Sequence, residues 1–133
     1  MRDVRLLEKG FSPGKALGLF AKAHPESGAL ASFVGKVRPD GDVKVLQISH
    51  YAPLTLPGMA ALAGRTEARF PLDGLLIHHR IGSLRPNAPI VLVAAAARHR
   101  RDALAAVDFA MDHLKSQSWF WKRERRAGGW HWI

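Results

Sequence analysis

Three segments of the chain carry apolar residues at helical spacing. The first follows Ser12-Pro13, an N-cap residue with proline at the first helical position, and predicts a helix from Pro13 to about Ala23. A second helix is predicted from Met59 to Phe70, after a loop bracketed by Pro53 and Pro57. The third lies within residues 101–117, where residues spaced by three, four and three positions form one apolar face: Leu104, Val107, Met111 and Leu114.

Between these helices, runs of aliphatic and aromatic residues predict strands. The expected strands cover residues 4–7, 29–37, 43–50, 75–81, 90–96, 119–121 and 130–133. The turn signal Pro39-Asp40-Gly41-Asp42 separates the second from the third, so these two are expected to pair as a hairpin. Hairpins mixed with helices favour an α+β fold, and residues 1–133 are expected to form one compact domain.

Composition supports a folded protein. The chain has 133 residues, of which 47% are hydrophobic and only 23% charged. No apolar run approaches the roughly 20 residues of a membrane span. Charged residues occupy the start, where a signal peptide needs an apolar stretch, so a cytoplasmic protein is expected. The absence of cysteine excludes disulfides, cysteine metal sites and a thiol nucleophile on this chain.

The net charge of +9 favours an anionic partner, which can be nucleic acid, a phosphorylated metabolite or an acidic protein. Basic residues recur near the ends of predicted elements: Arg38, Arg98 to Arg101, Lys115 and Lys122. The cluster at Arg98 precedes the third helix, where free N–H groups favour an anion, although the local sequence alone favours a solvated loop. Lys115 in a last helical turn and Lys122 beside aromatic residues also have purely structural explanations.

The adjacent histidines His78 and His79 are not expected to chelate one ion, because neighbouring strand residues point to opposite sides. One of them is expected to face the core or an interface and the other is not. No metal site or phosphate-binding motif is found in the sequence. The residues alone therefore predict a small basic α+β domain that binds an anion.

Six collinear segments together resemble the large, catalytic subunit family of molybdopterin synthase. They are Gly28 to Arg38, His50-Tyr51 with Pro57-Gly58-Met59, Ile77 to Leu84, His99-Arg100, Phe109 to Lys115, and Phe120 to Glu124. The resemblance implies a hammerhead-type antiparallel sheet with flanking helices, and a homodimer. A small ubiquitin-fold sulfur carrier is implied to dock on each end of that dimer, which gives a heterotetramer. The implied reaction moves sulfur from the carrier's C-terminal thiocarboxylate to cyclic pyranopterin monophosphate and makes molybdopterin.

The resemblance also implies roles for single residues, and it implies no bound cofactor. Lys115 matches the principal catalytic group, and Lys122 matches a lysine that stabilises developing charge and holds the carrier's terminus. The pterin phosphate is implied to be bound by a pocket assembled across the dimer from Arg38, His99 and Arg100. Phe33 and Met111 match apolar lining positions of the same pocket.

The chain departs from this family's pattern around the pocket rim. The turn after Arg38 is short, and Arg125 to Gly129 replaces a segment that is often acidic. Two other functions therefore stay open. One is a diverged family member without catalytic turnover, and the other is a small basic nucleic-acid-binding domain, which is supported by the charge and the four tryptophans.

Overall fold

The computed structural model describes residues 1–117 and 119–133. These residues form three helices and eight strands, and the strands make up two sheets. In chain order the elements are β1 (Arg2–Leu7), α1 (Pro13–Ala23), β2 (Ala29–Lys36), β3 (Val45–His50), α2 (Ala52–Arg69), β4 (Gly74–Arg80), β5 (Gly82–Leu84), β6 (Pro89–Ala97), α3 (Arg100–Ser116), β7 (Phe120–Arg126) and β8 (Gly129–Trp132). None of the helices in these described ranges is long and apolar enough to cross a membrane.

The first sheet has the strand order β1-β4-β6-β2. Its β1 runs parallel to β4, and the other neighbours are antiparallel. Every residue of β4 and the last seven of β6 are buried, because helices cover both faces. On one face Phe20 of α1 packs against β4 and β6, and on the other face α2 and α3 form the main core. Burial on both faces explains why these strands are almost continuously apolar.

The second sheet has the strand order β5-β3-β7-β8 and is antiparallel throughout. Leu46, Ile48 and Leu84 form its own buried cluster with Val37, which lies just beyond β2. The strands β7 and β8 form a hairpin, and Gly129 at the start of β8 has a φ of 109°, which favours glycine. This sheet holds β7 beside the end of the first sheet.

The α+β class is confirmed, but the expected hairpin between residues 29–37 and 43–50 is wrong. β2 pairs with β6, from Ala29 opposite Ala97 to Lys36 opposite Pro89. β3 belongs to the other sheet and pairs with β5 and β7. Two strands on either side of a turn signal need not pair, because each is drawn to the apolar surface that it helps to bury.

The second helix begins at Ala52, seven residues before its expected start at Met59. The prediction of a loop around Pro53 and Pro57 is therefore wrong. Pro53 lies in the first turn of α2, where an N–H has no helical partner to lose. Pro57 lies inside the helix, which continues through it. The short strand β5 is not among the strands predicted from the sequence, and it pairs with β3 through Leu84 opposite Leu46.

Both His78 and His79 are buried, at 6% and 4% exposure, so the expectation that only one of them would be is wrong. Their side chains do point to opposite faces of β4. His78 lies 3.1 Å from the Asp3 carboxylate and near Phe11, whereas His79 stacks on Phe120. Each face of this strand is covered, and a histidine on either face is therefore enclosed.

Candidate active site

A cavity of about 760 Å³ lies where β2, α3 and β7 come together. Its walls include aromatic and aliphatic side chains together with four basic residues: Lys36, Arg38, Lys115 and Lys122. No aspartate or glutamate borders it among the residues that the structure describes. A concave, partly apolar site with cations and no acidic residue is suited to an anionic ligand that also carries an apolar or aromatic part.

The topology explains why these residues meet. β2 is antiparallel to β6, and α3 follows β6 after a short connection, so α3 runs back along the sheet in the direction of β2. The C-terminal ends of β2 and α3 therefore lie side by side. Met111 and Lys115 are four residues apart on α3 and share the face that borders the cavity.

Five of the seven residues predicted from the sequence line this cavity. Lys122 enters from β7, where it pairs with Ile48 of β3, and Arg38 lies two residues beyond the end of β2. The five residues are Phe33, Arg38, Met111, Lys115 and Lys122. The structure brings them together from segments that are far apart in sequence, but it does not by itself test the roles expected of them.

His99 and Arg100 are not brought to this cavity within one chain. His99 is the N-cap of α3 and Arg100 its first residue, whereas Lys115 lies in its last turn. A helix of this length spans roughly 25 Å, at about 1.5 Å per residue. Both residues are exposed at the far end. Their contribution to the pocket from a second copy of the chain stays a prediction.

The two lysines differ in their surroundings. Lys115 is exposed at the end of α3, whereas Lys122 is partly buried in β7. Burial lowers the pKa of Lys122 below its ordinary value, and the nearby charge of Lys115 lowers that pKa further. Lowering the pKa increases the fraction of neutral amine near neutral pH, and a neutral amine can accept a proton or attack a carbonyl.

His79 is a cavity residue that sequence reasoning missed. Its ring lies parallel to the Phe120 ring, with centroids 4.0 Å apart and an angle of 11°, and its Nδ1 lies 2.7 Å from the Arg80 carbonyl oxygen. Burial lowers the pKa of His79 to about 4, and the charge of Lys122 contributes to the shift. No local signal in the sequence distinguishes His79 from His78, because the difference depends on what packs on each face of β4.

Lys36, Trp121 and Trp132 also border the cavity and were not predicted. Lys36 lies two residues before Arg38, and side chains two residues apart along an extended segment point to the same side. This spacing could have predicted Lys36 from Arg38. Trp121 and Trp132 belong to the C-terminal hairpin, and both are exposed. These two indoles extend the apolar rim of the cavity.

The fold and the cavity together define a class, an α+β protein with a basic pocket in which Lys115 and Lys122 differ in burial. The model of the MoaE protein family matches residues 7–117. The chain therefore belongs to the MoaE family.

Individual relatives agree with this assignment. The molybdopterin synthase catalytic subunit of Ralstonia nicotianae is 39% identical over 136 residues, which cover 100% of this chain and 77% of the relative. The protein of the same name from Cereibacter sphaeroides is 41% identical over 124 residues, covering 92% and 85%.

Two solved structures share the fold. The molybdopterin biosynthesis MoaE protein from Burkholderia ambifaria superimposes with a TM-score of 0.86 at 35% identity, covering 100% of this chain and 89% of that one. Molybdopterin synthase from Staphylococcus aureus gives a TM-score of 0.84 at 25% identity, covering 96% and 94%. The likeness extends over the sheets and helices that form the cavity.

Proposed function

We propose that this chain is the catalytic subunit of a molybdopterin synthase, a sulfurtransferase that converts cyclic pyranopterin monophosphate to molybdopterin. The observation that carries the proposal is the pair of lysines in the cavity, Lys115 and Lys122, at the two positions for which the sequence resemblance implied catalytic roles. The names of the relatives from Ralstonia and Cereibacter give the same activity for those proteins.

In this proposal Lys115 and Lys122 have different catalytic roles, which follow from their different surroundings. Lys115, at the exposed end of α3, is the principal catalytic group, acting as a general acid and base or through a transient adduct. Lys122 is drawn into the cavity wall and stabilises the charge that develops during transfer, while it holds the carrier's terminus. Burial lowers the pKa of Lys122, and the nearby charge of Lys115 lowers it further, so the two lysines differ electrostatically as well as in position.

The substrate phosphate is bound at the other basic part of the cavity. Arg38 and the neighbouring Lys36 supply charge there, and Arg presents a planar fork of donors that matches phosphate geometry. His99 and Arg100 complete this site from the partner copy of a homodimer, since one chain separates them from its own cavity by the length of α3. Phe33 and Met111 form apolar walls beside it.

The sulfur comes from a second protein. With no cysteine, this chain has no thiol on which to carry sulfur. The relatives from Ralstonia and Cereibacter are named catalytic subunits, which implies another subunit in those enzymes. A small ubiquitin-fold carrier with a C-terminal thiocarboxylate fits this requirement, since its anionic tail is attracted by the cationic cavity. The expected assembly is a heterotetramer built on the homodimer, with no resident cofactor.

We further propose that residues 1–133 act as one domain in the cytoplasm. In support, β1 near the start of the chain pairs with the central strand β4, and the backbone N–H of Ile133 donates to the Lys122 carbonyl oxygen at 2.9 Å. Both ends of the chain therefore belong to the same packed unit. Fractionation of cells that produce the tagged chain tests the compartment.

The test is conversion of cyclic pyranopterin monophosphate to molybdopterin in vitro, with thiocarboxylated carrier. Lys115→Ala is expected to lower the rate at least a hundredfold, on the order of the contribution of a positioned proton-transfer group. The matched control is Lys22→Ala, which removes a lysine from the last turn of α1 and should leave the rate unchanged. Equal rates in both variants would show that Lys115 only complements its helix dipole.

The same experiment separates the alternatives. A native chain that binds the carrier but yields no product would be a diverged, non-catalytic member of the family. A chain that fails to bind the carrier and instead binds nucleic acid with a steep dependence on salt would overturn the proposal.

A further inference from the structure

His79 is a buried titratable residue of the cavity that the proposed reaction leaves without a role. It is 4% exposed and borders the cavity together with Lys115 and Lys122. One face of its ring is covered by Phe120 in a parallel stack, which fixes the plane of the imidazole. A ring held in this way has one face closed to a ligand and a fixed direction for its ring nitrogens.

The hydrogen bond at Nδ1 determines which nitrogen carries the proton. Nδ1 lies 2.7 Å from the carbonyl oxygen of Arg80, and because a carbonyl oxygen only accepts, Nδ1 must donate. The lowered pKa of His79, about 4, keeps the ring neutral at neutral pH. In a neutral imidazole with a proton on Nδ1, Nε2 keeps its lone pair and is an obligatory acceptor.

Within the described part of the chain no hydrogen bond is made to this Nε2, whereas Nδ1 is bonded to the backbone. This nitrogen is not one of the fully buried atoms that lack a partner, and its ring borders the cavity, so a ligand or water there can donate to it. The group that meets Nε2 must bring a hydrogen, so a phosphate oxygen does not fit here. An N–H group of a heterocycle does.

We propose that His79 is a specificity-determining residue, whose Nε2 accepts a hydrogen bond from a ring N–H of the reduced pterin and so orients the heterocycle in the cavity. The inference rests on the proposed function and deepens it. It separates the cavity into two parts: the cations Lys36 and Arg38 attract the phosphate, and the stacked His79–Phe120 pair receives the ring. A phosphorylated ligand without ring N–H groups would use the first part alone.

Two variants of nearly equal shape isolate the acceptor. His79→Gln keeps an acceptor oxygen at about the position of Nε2, and His79→Met replaces it with a weakly accepting thioether. His79→Phe retains a ring that can stack on Phe120 and has no acceptor. The control is His113→Phe. The His113 ring also lies against a phenylalanine, with its centroid 4.1 Å from that of Phe109 and a tilt of 33°, and its Nδ1 is bonded to the backbone, but His113 is not among the residues that line the cavity.

Binding is measured by calorimetry on the complex with a carrier that ends in an ordinary carboxylate, so that no sulfur is transferred. The probes are cyclic pyranopterin monophosphate and inorganic phosphate. His79→Met and His79→Phe are each expected to weaken pterin binding about tenfold to a hundredfold, the usual effect of leaving a buried hydrogen-bonding group unpaired. His79→Gln should stay within a few-fold of the native chain. Phosphate binding should be unchanged in all variants.

Native-like pterin binding by His79→Met would overturn the proposal. Equal losses of pterin and phosphate binding in both His79→Met and His79→Gln would also overturn it, since they would indicate a purely structural role. A native chain that binds the carrier but not the pterin would overturn the proposed function together with this inference. If the native chain binds and converts the pterin and the His79 variants bind it equally well, only the role of His79 is rejected.

Discussion

At the scale of single residues, the side chains that pack on each face of β4 give two adjacent histidines different surroundings. His78 and His79 follow one another on β4, yet His78 meets the Asp3 carboxylate, whereas His79 meets an aromatic ring and a lysine. Burial together with the nearby charge of Lys122 favours the neutral form of His79. The residue that is held neutral is the one that faces the cavity.

This difference predicts how stability depends on pH. The pKa of His79 is about 4 in the folded protein and 6.5 in its ordinary state, so between these values the unfolded chain binds a proton that the folded chain does not. The free energy of unfolding therefore falls as the pH falls through this window, by up to about 3 kcal/mol near pH 4, and the effect is absent above pH 7.

Urea unfolding of the native chain and of His79→Phe at several pH values between 7 and 4 measures this contribution. The stability of His79→Phe relative to the native chain should improve steadily as the pH falls, whatever the difference at pH 7. His113→Phe serves as the control. Parallel curves for the native chain and His79→Phe would show that His79 takes up a proton in the folded state.

At the scale of elements, the sequence predicts what is encoded locally. The bounds of α1 agree with the prediction, since its start is marked by Ser12, whose Oγ accepts from the Lys15 N–H at 3.2 Å. The apolar face of α3 is also evident from spacing alone. The partner of β2 is not, because a turn signal marks a change of direction and does not specify which strand completes the ladder.

The candidate site was predictable to a similar extent. Lys115 and Lys122 could be assigned through the family resemblance, since both lie in recognisable motifs. The cavity position of His79 depends on the packing of β7 against β4, which brings Phe120 onto its ring. Such a contact joins residues 41 positions apart in sequence and leaves no periodic trace. The early start of α2 was missed because prolines are usually strong indicators of a loop.

Glycine substitutions test the packing of α2. A Cβ at Gly58 would collide with the Trp119 indole, whereas a Cβ at Gly18 of α1 would have no neighbour within 4 Å. Gly18→Ala is therefore expected to stabilise the protein by up to about 1 kcal/mol through helix propensity. Gly58→Ala gains the same propensity but overpacks a large side chain, and a net loss of roughly 1–2 kcal/mol is expected.

Thermal and urea unfolding of the two variants measure both effects. Each variant is a control for the other, because the chemical change and the type of element are the same. Stabilisation by Gly58→Ala comparable to that by Gly18→Ala would mean that Trp119 does not pack against α2 in solution.

At the scale of the whole molecule, the distribution of basic residues along α3 bears on assembly. The helix has basic residues at both ends, with Arg98 to Arg101 at its start and Lys115 at its end, and only the second end borders the cavity of its own chain. The basic residues at the start of α3 do not border the cavity of their own chain, so any anion that they bind must lie elsewhere or in a partner copy. A homodimer in which the start of one α3 approaches the cavity of the other chain would bring both ends to one site.

Mixing two inactive variants tests this arrangement. In a mixed dimer of Lys115→Ala and Arg100→Ala chains, the cavity of the Arg100→Ala chain keeps its own Lys115 and receives an intact Arg100 from the partner copy. Random exchange of subunits makes half of the dimers mixed, and each mixed dimer has one intact site, so about a quarter of the native activity should return. If Arg100 acted within its own chain, no site in any mixed dimer would be intact. The assay is molybdopterin formation after the two variants are unfolded together and refolded, with the variants refolded separately as the control. Because the positions of Lys115 and Arg100 at opposite ends of a single rigid helix prevent them from meeting within one chain, recovery of activity would require a site built from two chains.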